Sequence, residues 1–326
     1  MATTIKVLSL FCGCGGMDLG IVGGFDYLGK RYPKLPFTIM KAVDNDPYCT
    51  KIYNDNFKTK CEICDVKDLD EKTLEDFGLL IGGFPCQSFS ISAQNPPRLG
   101  YKDDRGKLFF EMVRILKEKK PRAFIAENVK GLLSANKGKA FPMIVNEFEK
   151  AGYHVVHKLL YSADYGVPQK RERVIIVGFR EEADLAAFRY PDEVKAKHVL
   201  GEVIDVNANN EEKWFFSEKA VAGMKKVQDK MNKGRAQQLD EPCNTISSHL
   251  AKVSLNSTDP VLYIDGRYRR FTPLEAAKIQ SFPDTFDFGS VSESKQYKAI
   301  GNAVPPVMMW YVAKAVAEAL KERSSK

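Results

Sequence analysis

A handful of short stretches in this 326-residue chain carry side chains that could do chemistry. GFPCQSFS at 83–90 sets Cys86 between Pro85, which fixes the backbone, and the polar Gln87 and Ser88. A lone cysteine is more often buried filler, but these neighbours suit a thiol that nearby dipoles or cations turn into a nucleophilic thiolate. Glu127-Asn128-Val129 offers a carboxyl group, and in QKRER at 169–173 strand alternation sends Gln169, Arg171 and Arg173 to one side. A thiol, a carboxyl group and two guanidinium groups converging on one cleft would form a reaction centre. For Glu127 with Arg173 the plain alternative is a salt bridge at a domain edge. FCGCGG at 11–16 is a turn of small residues, which lets a ligand approach the backbone and a helix N-terminus. It departs from GxGxxG, which argues against a dinucleotide pyrophosphate. Asp44 and Asp65 each follow a strand pattern, where a carboxylate can accept ribose hydroxyls; singly, either could be a loop carboxylate in water. Together, glycine turn and ribose acid point to an adenosine-containing cofactor.

These groups can meet only if one scaffold gathers them. Strand patterns cover residues 5–11 and 37–43, and short apolar runs at 79–81 and 123–126 read as buried parallel strands. Residues 108–119 fit a helix with Leu108, Met112, Ile115 and Leu116 on one face, and 155–161 and 174–179 add late strands. The alternation predicts an α/β chain with a mainly parallel sheet and helices on both faces. Ligands of such sheets gather at the carboxyl ends of the strands, where Cys86 and Glu127 both fall. The pattern breaks near residue 181. Residues 185–262 are mixed and polar with a Lys-rich helical piece at 219–233, as in a second, smaller domain. Helices resume at 273–281, with Thr272 as N-cap, and at 305–323.

With 44% hydrophobic and 28% charged residues, the composition excludes a disordered chain, a collagen-like repeat and a small disulfide scaffold. The net charge of +7 is unevenly spread, with +9 in residues 97–180 alone. That fits a local anionic partner such as nucleic acid, set against a solvated Lys-rich helix face at Lys117, Lys119 and Lys120. No apolar run approaches 18 residues and the first residues enter a strand pattern at once, so a soluble, intracellular protein is expected. The seven cysteines read as reduced thiols. Cys61-x-x-Cys64 has no second ligand pair, so no metal is expected.

FCGCGG, PCQ at 85–87, ENV at 127–129, QKRER, RRFTPLEAAKIQSFP at 269–283 and GNAVPP at 301–306, in this order, resemble the DNA (cytosine-5)-methyltransferase family. The likeness spans nearly the whole chain. It implies a Rossmann-like S-adenosylmethionine-dependent methyltransferase fold, with a catalytic domain over 1–184 completed by 292–326. A target-recognition domain and hinge would fill 185–291. The cofactor would be S-adenosylmethionine, with Phe11 facing the adenine, Cys14 and Gly16 the methionine end, and Asp44 the ribose, with Asn45 beside it. Asp65 and Val66 would read the adenine; Pro85, Leu108, Asn302 and Ala303 would close the pocket. Ser9 stands where many members have Asp.

By the same resemblance, Cys86 would add to carbon 6 of a flipped-out cytosine while Glu127 donates to ring nitrogen 3 and Arg173 binds the 2-carbonyl oxygen. Arg171 would orient the loop and a phosphate. Gln87, Ser88, Gln169, Thr245 and Ile246 would touch DNA, Thr245-Ile246 filling the space the base vacates, and residues 88–105 would form a lid. The implied partner is double-stranded DNA, met by a monomer in a bacterial or host cytoplasm, away from any membrane. A restriction–modification role leaves room for a cognate endonuclease acting separately. Two other readings stand beside it. A tRNA-methylating member would carry Cys-Phe-Thr in the recognition region, absent from residues 181–270. A catalytically silent DNA-binding regulator fits poorly with an intact Cys86, Glu127 and Arg173.

Overall fold

The computed structural model describes residues 4–85, 108–205, 211–231, 235–252 and 259–321. Cys86, Gln87, Ser88 and the expected lid lie outside the described residues. The main sheet has β1 (Ile5–Leu10), β2 (Phe37–Asp44), β3 (Cys61–Ile63), β4 (Leu79–Gly82), β5 (Ala123–Val129), β6 (His154–Tyr161) and β7 (Glu172–Phe179). Their order is β3-β2-β1-β4-β5-β7-β6. β3, β2, β1, β4 and β5 are parallel; β7 runs antiparallel between β5 and β6. The chain steps outward from β1 to β3, then returns to the other side of β1 as β4. That reversal opens a crevice at the carboxyl ends of β1 and β4, the place where such sheets hold ligands.

Strand alternation divides the apolar side chains between two cores. Val7, Leu79, Ile81, Ile125, Ile175 and Val177 enter the core on one face, Leu8, Leu10, Leu80, Phe124, Val174 and Ile176 that on the other. Because both faces are covered, the central strands read as continuous apolar runs. One layer is α1 (Gly16–Val22) with the last helix of the described chain, Pro306–Lys321. The opposite layer contains Leu108–Lys119, which buries Phe109, Met112, Val113, Ile115 and Leu116, and Ala140–Lys150. Between β2 and β3, Pro47–Asn56 begins at Asp46, whose carboxylate accepts the N–H groups of Tyr48 and Cys49.

Described residues between Leu200 and Ala303, Trp214, Ile246, Phe271 and Phe282 among them, share a third core with Cys14, Cys49 and Ile52, so the later part of the chain is packed onto the turn at 11–16. Within it, Thr272 and Glu275 form a capping box at the start of Pro273–Ile279. Arg269 forks onto the same Glu275 with two bonds of 2.8 and 2.7 Å, both residues buried. Arg269, Thr272 and Glu275 thus brace the RRFTPLE stretch from within, and the Tyr297 hydroxyl donates to its Phe271 carbonyl.

The first and last helices meet backbone to backbone. A Cβ added at Gly20 would stand 2.6 Å from both the Pro306 carbonyl oxygen and the Met309 Cβ. Gly→Ala inside an exposed helix normally gains up to about 1 kcal/mol. At Gly20 overpacking should win, and Gly20→Ala should lose about 1–3 kcal/mol in urea unfolding.

Candidate active site

The carboxyl ends of the parallel strands collect most of the residues expected to hold a cofactor. Past β1, Phe11 takes a left-handed backbone (φ +54°), uncommon for a non-glycine residue, with its side chain half-buried. Gly13 then donates its N–H to Asp44 Oδ2, and Asp46 donates to Oδ1, both at 2.8 Å. Burial raises the Asp44 pKa and these two amides pull it back. Asn45 beside it is exposed. Asp65, just past β3, caps a short helical turn by accepting the Lys67 N–H at 3.0 Å. Val66 is buried, and its carbonyl accepts from Arg114 at 3.0 Å. Pro85, past β4, and Leu108 are half-buried. Cys61 Sγ faces Cys12 Sγ at 3.2 Å.

The end of the chain closes on the same turn. Helix Glu293–Asn302 finishes with Asn302 exposed and Ala303 buried. The Ala299 carbonyl lies 3.7 Å from Cys14 Sγ, and burial pushes that thiol up to about 12. Gly16 lies against the next residues, where a Cβ would come within 2.5 Å of the Val304 carbonyl oxygen. Its smallness therefore has a packing cause.

On the other side of the crevice, antiparallel pairing sets Arg173 of β7 opposite Val129 of β5. Arg173 Nε reaches Glu127 Oε1 at 2.8 Å, with the two side chains only 12% and 11% exposed. A Cβ at Gly83 would come within 3.1 Å of Glu127 Oε2, so the glycine leaves the carboxyl group open to the loop before Cys86. Asn128 Nδ2 donates to the Phe84 carbonyl at 3.0 Å. β5 therefore carries the carboxyl group and anchors the chain two residues before Cys86.

Three expected DNA or phosphate contacts are corrected. Arg171 is fully buried and donates to the carbonyls of Ile246, Gly301 and Ala303 at 3.0–3.1 Å, so its guanidinium holds backbone and has no face for a phosphate. Burial and the nearby Arg173 charge both lower its pKa. Gln169 is also fully buried, accepting the Ile246 N–H at 2.9 Å. Ile246 packs in the third core, whereas the neighbouring Thr245 is exposed and donates to the Lys170 carbonyl at 2.8 Å. The alternation of 169–173 does hold, for Lys170 and Glu172 point outward to Glu241 and Lys130. Sequence reasoning missed Gln280, which is fully buried and donates to the carbonyls of Ile300 and Ala303. Its only signal was one amide among the apolar positions Ala276, Ala277 and Ile279.

This sheet order, with its ligand edge between β1 and β4, defines a S-adenosylmethionine-dependent methyltransferase fold. The chain belongs to the C-5 cytosine-specific DNA methylase family, whose profile matches residues 5–321. It is 34% identical to the Type II methyltransferase M.FnuDI of Fusobacterium nucleatum, over 98% of this chain and 96% of that one. It is also 34% identical to the Type II methyltransferase M1.ScrFI of Lactococcus lactis subsp. cremoris, over 98% and 80%. In three dimensions it matches the Entamoeba histolytica methyltransferase EhMeth with a TM-score of 0.75 at 19% identity, covering 98% of this chain and 99% of the other.

Ser9 is buried near a carboxyl group that sequence reasoning missed. Asp18 is fully buried in α1, accepts the Tyr53 hydroxyl at 3.0 Å, and its Oδ2 has no hydrogen-bond partner among the described residues. Burial pushes its pKa from 3.8 up to about 6, against the pull of the Ser9 and Tyr53 hydroxyls. The native state then binds more protons than the unfolded chain between those values, so Asp18 lowers stability as pH rises from about 4 to about 6. Asp18→Asn should remove that loss. Its stability relative to the unsubstituted protein should rise by about 1–2 kcal/mol between pH 5 and pH 7.5 in urea unfolding.

Proposed function

We propose that the protein methylates carbon 5 of a flipped-out cytosine in double-stranded DNA, with Cys86 as the nucleophile. The observation that carries this is the Glu127–Arg173 pair at the crevice edge, on the strand whose Asn128 anchors the loop entering Cys86. The cofactor side fits S-adenosylmethionine. Among the described residues other than its chain neighbours, nothing lies within 4 Å of where a Gly13 Cβ would stand, and this space adjoins the oriented Asp44 carboxylate and the half-buried Phe11. Phe11, Asp44, Asn45, Asp65 and Val66 would hold the adenosine, and Cys14, Gly16, Pro85, Leu108, Asn302 and Ala303 the remaining walls. When bound, the cofactor supplies an electrophilic methyl group.

The chain's own groups prepare the base. Addition of the Cys86 thiolate to carbon 6 breaks the ring's aromaticity and moves an electron pair toward carbon 5. Glu127 donates to nitrogen 3, and Arg173 holds the 2-carbonyl oxygen, where charge develops. Once carbon 5 has used that electron pair to bond the methyl group, a base takes the carbon-5 proton, and the carbon 6–sulfur bond breaks to return the thiolate. A stacked cytosine hides both faces, so the base must leave the helix first. Residues 185–291 would read the site, with Thr245 at the vacated space. The segment 181–264 has net charge −3, so phosphate contacts fall mainly to the basic residues of 97–180. Similarity to Type II methyltransferases supports work beside a separate endonuclease with the same target. Among the described residues no helix is long and apolar enough to cross a membrane.

Duplex DNA with 5-fluorocytosine at the target, mapped beforehand by bisulfite sequencing, tests this reading. Fluorine cannot leave as a cation, so elimination stops after methyl transfer. A complex that survives denaturing electrophoresis should form only with S-adenosylmethionine, and Cys86→Ser should abolish it. Cys14, Cys49 and Cys243 should not replace Cys86, because burial raises each of these thiols. An adduct mapped elsewhere would refute the mechanism.

Glu127→Gln keeps the shape but loses the transferable proton. Single-turnover methylation should slow by roughly 10²-fold or more while S-adenosylhomocysteine affinity holds. Equal losses in both would assign Glu127 a structural role.

A further inference from the structure

The corrected contacts of Arg171 and Gln169 belong to a larger arrangement. Gln169 Oε1 accepts the Ile246 N–H, and Gln169 Nε2 donates to Gln280 Oε1. Gln280 Nε2 donates to the Ala303 carbonyl at 2.9 Å, which also accepts Arg171 Nη2 at 3.0 Å. Arg171 Nη1 returns to the Ile246 carbonyl at 3.0 Å. The bonds close a ring running Ile246, Gln169, Gln280, Ala303, Arg171 and back to Ile246. Gln169, Arg171, Gln280 and Ile246 are each no more than 1% exposed.

Each amide is used at both ends. Gln169 also donates to the Ile279 carbonyl and Gln280 to the Ile300 carbonyl, so neither can flip without stranding buried donors. Beside the ring the two bridged segments touch directly, since a Cβ at Gly301 would stand 2.2–2.4 Å from the Ser247–Ser248 backbone. A movement of one segment therefore bears directly on the other. One of them precedes the cofactor-side residue Val304, which lies on Gly16, and the other carries the exposed Thr245.

We infer that Gln280 is a positioning residue that couples the two halves of the reaction: through this ring, seating of DNA at Thr245 and closure of the cofactor pocket at Asn302–Ala303 stabilise each other. The inference rests on the proposed cofactor and DNA roles of those residues. A buried ring whose two amides are engaged at both ends, with only Arg171 Nε lacking a partner among the described residues, has few alternative arrangements, so a shift at Ile246 is transmitted to Ala303 as a repacking of the whole ring. Linkage makes the effect reciprocal: DNA should tighten cofactor binding by the factor with which cofactor tightens DNA binding.

The test measures the dissociation constant of S-adenosylhomocysteine by calorimetry, with and without a duplex containing the mapped target. In the unsubstituted protein the ratio should be roughly 5 or more, the lower end of typical coupling. In Gln280→Glu, which keeps the acceptor for Gln169 but loses the amide donors, the ratio should fall toward 1. Gln169→Glu, which cuts the same link from its other side, should do likewise. A merely structural amide would lower the melting temperature and both affinities while leaving their ratio unchanged, and that result in either folded variant overturns the inference. Hydrogen exchange on the unsubstituted protein needs no variant and no DNA. S-adenosylhomocysteine alone should protect the amides around 245–248 as well as those around 300–304; protection confined to 300–304 overturns the coupling. If S-adenosylhomocysteine binds nowhere, or the protein methylates no DNA, it is the proposed function that fails instead.

Discussion

A guanidinium group with no access to water constrains this molecule more than any other single feature. Withdrawing an ion from water costs several kcal/mol unless its donors are met in good geometry. Arg171 meets that demand with three carbonyls, from Ile246, Gly301 and Ala303. These lie 75 to 132 residues further along the chain. Any fold that satisfies the arginine must bring the end of Glu293–Asn302 and the segment around Ile246 to the strand that leads into Arg173. The charge that looks catalytic in the sequence is therefore what ties these distant segments together. Its Nε, buried with no partner among the described residues, shows that the satisfaction is incomplete.

The crevice itself follows from sheet topology. Parallel strands point their carboxyl ends one way, and the reversal between β1 and β4 keeps helices from covering that edge. Two kinds of group line it for different physical reasons. Asp44 is held by backbone N–H groups from its own loop and from the glycine turn, so the turn and the carboxylate orient each other. Glu127 is held by a side chain from the neighbouring antiparallel strand, in a nearly dry setting where electrostatic interactions are stronger than in water. Small residues make the approach possible: Gly83 leaves room for the Glu127 carboxyl group, and Gly16 and Gly301 let backbone lie on backbone.

The amino-acid sequence by itself determined the α/β class, six of the seven sheet strands to within three residues, the Thr272 cap and the segments that meet at the crevice. Strand–helix periodicity and capping are local, so they can be read locally. The order of the motifs then sufficed for the family, which their match over residues 5–321 bears out. The short edge strand Cys61–Ile63 was legible only as a strand end before Asp65, because only Cys61 of its three residues is buried.

What the tertiary structure decided is which polar residues face the crevice and which face inward. QKRER reads as one row of reactive side chains, yet Gln169 and Arg171 are consumed by backbone groups while Arg173 alone reaches Glu127. Asp18 reads as an ordinary charge on a short helix, yet it is fully buried and burial raises its pKa. Gln280 reads as incidental among apolar neighbours. Whether a polar side chain does chemistry or holds the fold depends on which carbonyls lie within 3 Å of it, and those carbonyls come from distant parts of the chain. Periodicity and composition carry no record of that distance.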